Sequence, residues 1–214
     1  MRSAANDTRS RGLGATSGTY TGNMAIRQPK PPRHEFPVSK YNGRRMSEAE
    51  FLALPEEKPY LEYVDGVVIQ KPMPNKDHRR IIEELIFQIG KYRRDRGGWA
   101  GPEGRVRLPD GSGFRLPDTA YWAPNREDGD DSVPSLAVEV RSPGQTMAEL
   151  RRKCRAFRAN GVDACWLVDP DSRTVEVFEA DRDASLLKIG DALEPHVMPG
   201  FSLPLAELFS VLDR

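Results

Sequence analysis

The sequence predicts an α/β (α+β) domain in which a mixed β-sheet is flanked by helices, with an N-terminal hairpin and a disordered N-terminal tail. Three observations carry this. Two apolar runs, SLAVEVR (135–141) and ACWLVDP (164–170), are separated by an amphipathic stretch, the pattern of two buried strands joined across a helix. Residues 78–96 repeat apolar side chains at helical spacing, and such a helix needs a sheet to lie on. The first 45 residues show no hydrophobic period at all, and so cannot bury enough to order themselves.

That tail, residues 1–45, holds nine Lys or Arg against Asp7 and Glu35, a charge of +7. Because the 214-residue chain has a formal net charge of +0, residues 46–214 carry −7. This balance excludes a uniformly basic nucleic-acid-binding surface, so any such surface is local. The tail has no signal-peptide core, and its Arg, Ser and Thr content resembles an organelle transit peptide only faintly. Met46, followed by Ser47 and Glu50 as a capping box, marks the expected start of the folded domain over 46–214.

Residues 47–54 then read as a short helix stopped by Pro55. Residues 60–70 alternate around Asp65 and Gly66, the dipeptide of a type I′ turn, so LEYV and VVIQ should pair as a hairpin. Asp77 is the expected cap of the helix over 78–96, whose apolar face is Ile81, Ile82, Leu85, Ile86, Ile89 and Tyr92, with Gly97 as the stop. Strands are expected at 103–108 and 118–123, with a turn at 109–113 and an acidic polar loop at 125–133. The strand 135–141 is central, since both faces of LAVEV are mostly apolar. Thr146 and Glu149 form a second capping box for a helix over 146–159, with Met147, Leu150, Cys154 and Phe157 at helical spacing and Asn160–Gly161 at its end. Strands 164–170 and 173–180 follow, and residues 205–212 close the chain as a helix.

Several function classes drop out. No apolar run approaches the ~20 residues of a membrane span, so no membrane partner is expected. Cys154 and Cys165, one on a helix and one in a strand, fit a reduced cytoplasm better than a disulfide scaffold. His34, His78 and His196 are too dispersed to spell a zinc site. There is no Walker A sequence, no G-x-S-x-G elbow and no dinucleotide fingerprint among Gly97, Gly98, Gly101 and Gly104. The loop REDGDD (126–131) lacks the ligand spacing of an EF-hand and reads as solvated.

What remains is a set of acids and bases on a strand, strand, helix framework. Asp118 follows Pro117 at a strand start; alone it can serve as a turn residue. Glu139 lies inside an apolar strand, where a carboxylate is costly unless a cation or strong donors meet it. Two carboxylates on neighbouring strands can hold a divalent cation; the structural alternative for Glu139 is a salt bridge to a helix Arg. Lys153 lies on the flank of the helix stripe, ~10 Å from the helix start by its rise per residue, able to reach the strand ends or to join a solvated basic face with Arg151, Arg152, Arg155 and Arg158. Arg141 shares the side of Glu139 by alternation and can meet a phosphate. Glu62 can add a ligand if the hairpin folds over the sheet, and His78, opening the long helix, can position a water or a phosphate.

The pieces YLEYVDGVVIQKP with His78 downstream, LPDGSGFRLPDTAYW, LAVEVRSPG, the Lys153 helix ending in NGVDACWLVDP, and MPGFSLPLAELF together resemble the Uma2 family, also called DUF820, over residues 46–209. The resemblance implies a restriction-endonuclease-like fold of the PD-(D/E)XK class and a magnesium-dependent, DNA-cleaving nuclease. Asp118 matches the PD aspartate and Glu139 the acid of the next strand. A Lys would stand at Arg141 in the standard pattern; the resemblance offers Lys153 as its migrated substitute and Glu62 as the upstream acid. Arg does not deprotonate near neutral pH, so Arg141 can stabilise charge but cannot act as a base. The mechanism expected from this has Asp118, Glu139 and the backbone carbonyl of Val140 holding Mg²⁺ (or Mn²⁺), Lys153 orienting water or stabilising the transition state, and Arg141 and the helix arginines gripping DNA phosphates. A homodimer is left open. The alternative is a non-catalytic nucleic-acid or protein interaction module on the same fold, and Arg141 in place of Lys favours it.

Overall fold

The computed structural model describes residues 37–127, 129, 131–179 and 184–214. Most of the expected tail, residues 1–36, lies outside the described residues. In chain order the elements are α1 (Glu48–Leu52), β1 (Leu61–Val64), β2 (Val67–Gln70), α2 (Lys76–Arg96), β3 (Trp99–Pro102), β4 (Val106–Leu108), β5 (Gly113–Arg115), β6 (Thr119–Trp122), β7 (Leu136–Val140), α3 (Met147–Ala159), β8 (Ala164–Asp169), β9 (Thr174–Glu179), β10 (Ser185–Leu187), β11 (Ala192–Leu193), β12 (Leu203–Pro204) and α4 (Leu205–Ser210), followed by a 3₁₀ turn over Val211–Asp213.

The main sheet has six strands in the order β10-β9-β8-β7-β6-β3. Its β7–β8 pair is parallel, joined through α3, and the other pairs are antiparallel. A second, antiparallel sheet runs β2-β1-β5-β4. The β1–β2 hairpin turns on Asp65 (φ 50°) and Gly66 (φ 80°), the two positive φ values a type I′ turn requires. β5 lies against β1 because Gly113 has no side chain: a Cβ there would stand 2.0 Å from the Tyr63 carbonyl oxygen.

Side-chain alternation sorts the core into layers. Leu136, Val138 and Val140 of β7, with Trp166 and Val168 of β8, face the apolar stripe of α2 (Ile81, Leu85, Ile89) and α4. Ala137, Cys165 and Leu167 face the other way, onto Leu150, Cys154 and Phe157 of α3 and onto Val106 and Leu108 of β4. A smaller cluster of Phe51, Tyr63, Val68 and Phe114 fills the space between α1 and the second sheet. Cys154 and Cys165 are buried free thiols. Among the described residues no helix is long and apolar enough to cross a membrane.

Four expectations need correction. The folded region begins before Met46: the Gly43 amide donates to the Val68 carbonyl (2.8 Å), Val68 donates back to Arg44 (2.9 Å), and Arg45 bridges Val67. The α2 cap is Asn75, whose side chain accepts from the His78 amide, and Asp77 lies in the first turn. Of the strand expected at 103–108 only β4 (Val106–Leu108) forms, and Glu103, with a φ of 53°, separates it from β3, which lies wholly before the expected range. The turn expected over 109–113 forms over residues 109–112, and Gly113 already opens β5, a strand that was not expected.

Candidate active site

The site forms where β6, β7, α3 and the hairpin meet. Pro117, which has no N–H, lies where the chain passes from β5 of one sheet to β6 of the other, with Leu116 bonding side chains through its amide and carbonyl on one side and Asp118 on the other. The Asp118 amide donates to the Val138 carbonyl (2.9 Å), fixing the residue beside β7. Its Oδ2 accepts from the Val140 amide (2.8 Å) and from His78 Nε2 (3.0 Å), and its Oδ1 accepts from Lys71 Nζ (2.8 Å). Lys71 is the residue after β2, pinned there by its own amide bond to the Tyr60 carbonyl (2.8 Å).

Glu139 has the same strand parity as Ala137 and therefore faces α3. The buried stripe of α3 is Leu150, Lys153, Cys154 and Phe157, so the lysine occupies a core position and brings its ammonium to the open end of β7. Lys153 Nζ stands 2.6 Å from Glu62 Oε1 and 2.8 Å from Glu139 Oε1, and donates to the Leu116 carbonyl at 3.0 Å. Glu62 Oε1 also accepts from the Leu116 amide (2.9 Å), and its Oε2 lies 3.4 Å from Arg115 Nη1. Glu139 Oε1 has the Lys153 ion as neighbour but no hydrogen bond with adequate geometry, and its side chain is only 2% exposed.

These surroundings set the charges. Burial pushes the Glu139 carboxyl up, helped by the charges of Asp118 and Glu62 and opposed by Lys153 and Lys71, to a pKa of about 7. Burial opposes ionisation of Asp118 too, but Lys71, the His78 hydrogen bond and Lys153 outweigh it and hold Asp118 well below the usual carboxylate range. Burial likewise acts against the charge of Glu62, yet Lys153, Lys71 and Arg115 keep its pKa lowered. Burial would lower the Lys153 and Lys71 pKa values; the surrounding carboxylates raise both. Asp118 and Glu139 open together onto a cavity of about 200 Å³ that Lys71, His78, Ser142 and Gln145 also line.

Of the residues singled out in the sequence, Glu62, His78, Asp118, Glu139 and Lys153 therefore meet in one place, and Val140 joins them through its amide. The expected metal contact of Val140, by contrast, was through its carbonyl. Arg141 does not join them. The β7 side-chain alternation stops at Val140, the Arg141 amide bonds to the Val168 carbonyl (2.9 Å), and its guanidinium binds Asp169 (Nε to Oδ1, 2.8 Å) and Asp171 beyond β8. Lys71 and the Leu116 carbonyl were missed. A signal for Lys71 existed: Glu62 pairs with Ile69 across the hairpin, so alternation places Glu62, Ile69 and Lys71 on one face.

A mixed sheet carrying acids at the ends of adjacent strands, with a lysine from the crossover helix, is the framework of a nuclease of the restriction-endonuclease type. The Uma2 family model, described as "Putative restriction endonuclease", matches residues 48–206, and the chain belongs to that family. A crystal structure from Anabaena variabilis, described as a "putative nuclease belonging to DUF820", is 29% identical with a TM-score of 0.69, over 78% of this chain and 99% of that one. A cryo-EM structure described as a DrdV–DNA complex aligns with 15% identity and a TM-score of 0.37 over 64% of this chain and 13% of that one, a likeness too low to carry an argument. None of the curated proteins matches the chain.

Proposed function

We propose that this protein is a divalent-metal-dependent endonuclease that hydrolyses phosphodiester bonds in DNA, with Asp118 and Glu139 as the acids that hold the cation. The observation that carries the reading is the pair itself: two buried carboxylates open onto one cavity, and Glu139 Oε1 lacks a hydrogen bond. The donor set suits a hard cation. Mg²⁺ is held by one or two carboxylates and keeps several waters, whereas among the described residues no group of three His, Cys, Asp or Glu is placed to enclose a metal.

When bound, Mg²⁺ or Mn²⁺ would acidify a coordinated water and neutralise charge on the scissile phosphate. The chain supplies the rest. The Val140 amide and His78 fix the orientation of Asp118, leaving Oδ1 toward Lys71. Lys153 holds Glu62 and Glu139 together, so that losing its charge would disturb both acids. The Val140 carbonyl, at the end of β7, completes the proposed ligand set.

The interaction-module reading has one observation in its favour: Arg141 is tied to Asp169 and Asp171, leaving it unavailable to a phosphate. Nicking of supercoiled plasmid in EDTA, Mg²⁺ and Mn²⁺ separates the two. The nuclease reading expects metal-dependent nicking that falls at least about a hundredfold in Asp118→Asn and in Glu139→Gln. Wild-type protein that nicks no DNA in either metal would favour the module.

A further inference from the structure

We propose that Lys71, rather than Lys153, is the lysine that contacts the phosphate oxyanion, and that Lys153 is a positioning residue. The inference rests on the nuclease reading only for what the phosphate belongs to; the oxyanion site is argued from the two ammonium groups themselves.

An ammonium has three N–H donors. Lys153 Nζ is enclosed by three oxygens of the chain within 3.0 Å, a hydrogen bond to the Leu116 carbonyl and ion-pair contacts with Glu62 Oε1 and Glu139 Oε1, so its charge is already shared between two carboxylates. Lys71 Nζ has two, Asp118 Oδ1 and the same Leu116 carbonyl, each at 2.8 Å. Among the described residues, one donor of Lys71 is left for a ligand. The cavity walls agree with this count. Lys71 lines the cavity onto which Asp118 and Glu139 open, and Lys153 is absent from that wall.

Lys71 is also held ready for such a contact. Its amide closes the hairpin against the Tyr60 carbonyl, and Pro72 and Pro74 stiffen the chain that follows. Lys58 lines the same cavity and adds positive charge at its mouth. Lys71 Nζ thus keeps one donor beyond its two bonded oxygens and lines the cavity that both acids share, where an oxygen of the phosphate can accept it. A charge-assisted bond of this kind is the stronger sort and does not require the lysine to lose a proton.

The test is a titration of metal-free protein with inorganic phosphate in EDTA, followed by ³¹P line broadening. Lys71→Met is expected to weaken phosphate binding at least about tenfold, the worth of one charge-assisted hydrogen bond, while Lys153→Met changes it less than about threefold. Lys71→Met leaves Asp118 short of its cation, so each variant is first shown to be folded by circular dichroism, and a second pair removes that imbalance. Asp118→Asn is compared with the Asp118→Asn/Lys71→Met double variant, in which neither member of the buried pair is left behind. The single variant should bind phosphate at least as tightly as wild type, and the double variant about tenfold more weakly than the single. Equal binding by the two, a larger loss in Lys153→Met than in Lys71→Met, or no binding by the wild type overturns the proposal. An absence of plasmid nicking in the wild type would count against the nuclease reading alone, because the phosphate titration needs neither metal nor turnover.

Discussion

Asp118 and Glu139 stand at the ends of adjacent strands, are almost equally buried and face one cavity, yet their surroundings drive them apart. On the Asp118 side, three donors converge on one carboxylate: a backbone amide, an imidazole and an ammonium. On the Glu139 side, one ammonium is divided between two carboxylates and a carbonyl. The first acid is held ionised and the second is pushed to about 7. Burial alone does not decide the charge of a carboxylate; the number of donors that the backbone delivers to it does. Glu139 is the acid that gains most from an added cation.

The largest expected effect is on the satisfied side. Asp118→Asn leaves Lys71 buried with its strongest partner gone, so thermal or urea unfolding of metal-free protein should show a loss of about 3–5 kcal/mol. An unchanged melt would break the comparison. Lys153→Met should come next, at about 2–4 kcal/mol, because it leaves Glu62 and Glu139 facing each other without their shared cation. That loss should be smaller at pH 5 than at pH 8, where Glu139 ionises.

Glu139→Gln should act in the opposite direction. The folded-state pKa of Glu139, about 7, lies above its ordinary 4.5, so its contribution to stability is present in full below the ordinary value and is lost as pH rises through 7. The Gln variant should therefore gain about 3 kcal/mol over wild type at pH 8, and the gain should vanish near pH 4.5. Asp118 has the reverse dependence: its pKa is lowered, so its contribution is present above its ordinary 3.8 and is lost only in stronger acid.

The smallest expected effect concerns the N-terminus. Removing residues 1–36 should leave the melt within about 0.5 kcal/mol of full length. Removing 1–45 should cost a further ~1–2 kcal/mol, since it deletes the backbone bonds between Gly43, Arg44 and Val68. Equal melts for the two truncations would restore the boundary at Met46.

The parts of this molecule that were legible in the sequence are those decided locally. Asp65–Gly66 dictates the hairpin, the Thr146–Glu149 box starts α3, and LAVEV with ACWLVD are buried strands in any arrangement. β3 and β5 were not legible because each owes its identity to a partner: Trp99–Pro102 has no alternation and pairs with β6, and Gly113 matters only because Tyr63 lies against it. The acids were readable as costly residues in apolar strands. Lys71 was passed over although hairpin alternation puts it on the Glu62 face, because its partner Asp118 is 47 residues away and the hairpin alone does not say what that face meets. Arg141 misled for the complementary reason: alternation carries a side chain only as far as the strand continues, and β7 ends one residue earlier.

The central claim is that Asp118 and Glu139 together hold a divalent cation. Titration of Mn²⁺ into the protein at pH 7.5, with free Mn²⁺ read by electron paramagnetic resonance, tests it without reference to substrate or turnover. The expected result is saturable binding by the wild type that weakens at least about tenfold in Asp118→Asn and again in Glu139→Gln, since an amide is a poor ligand for a hard cation. Binding that is absent from the wild type, or unchanged in both variants, would contradict it.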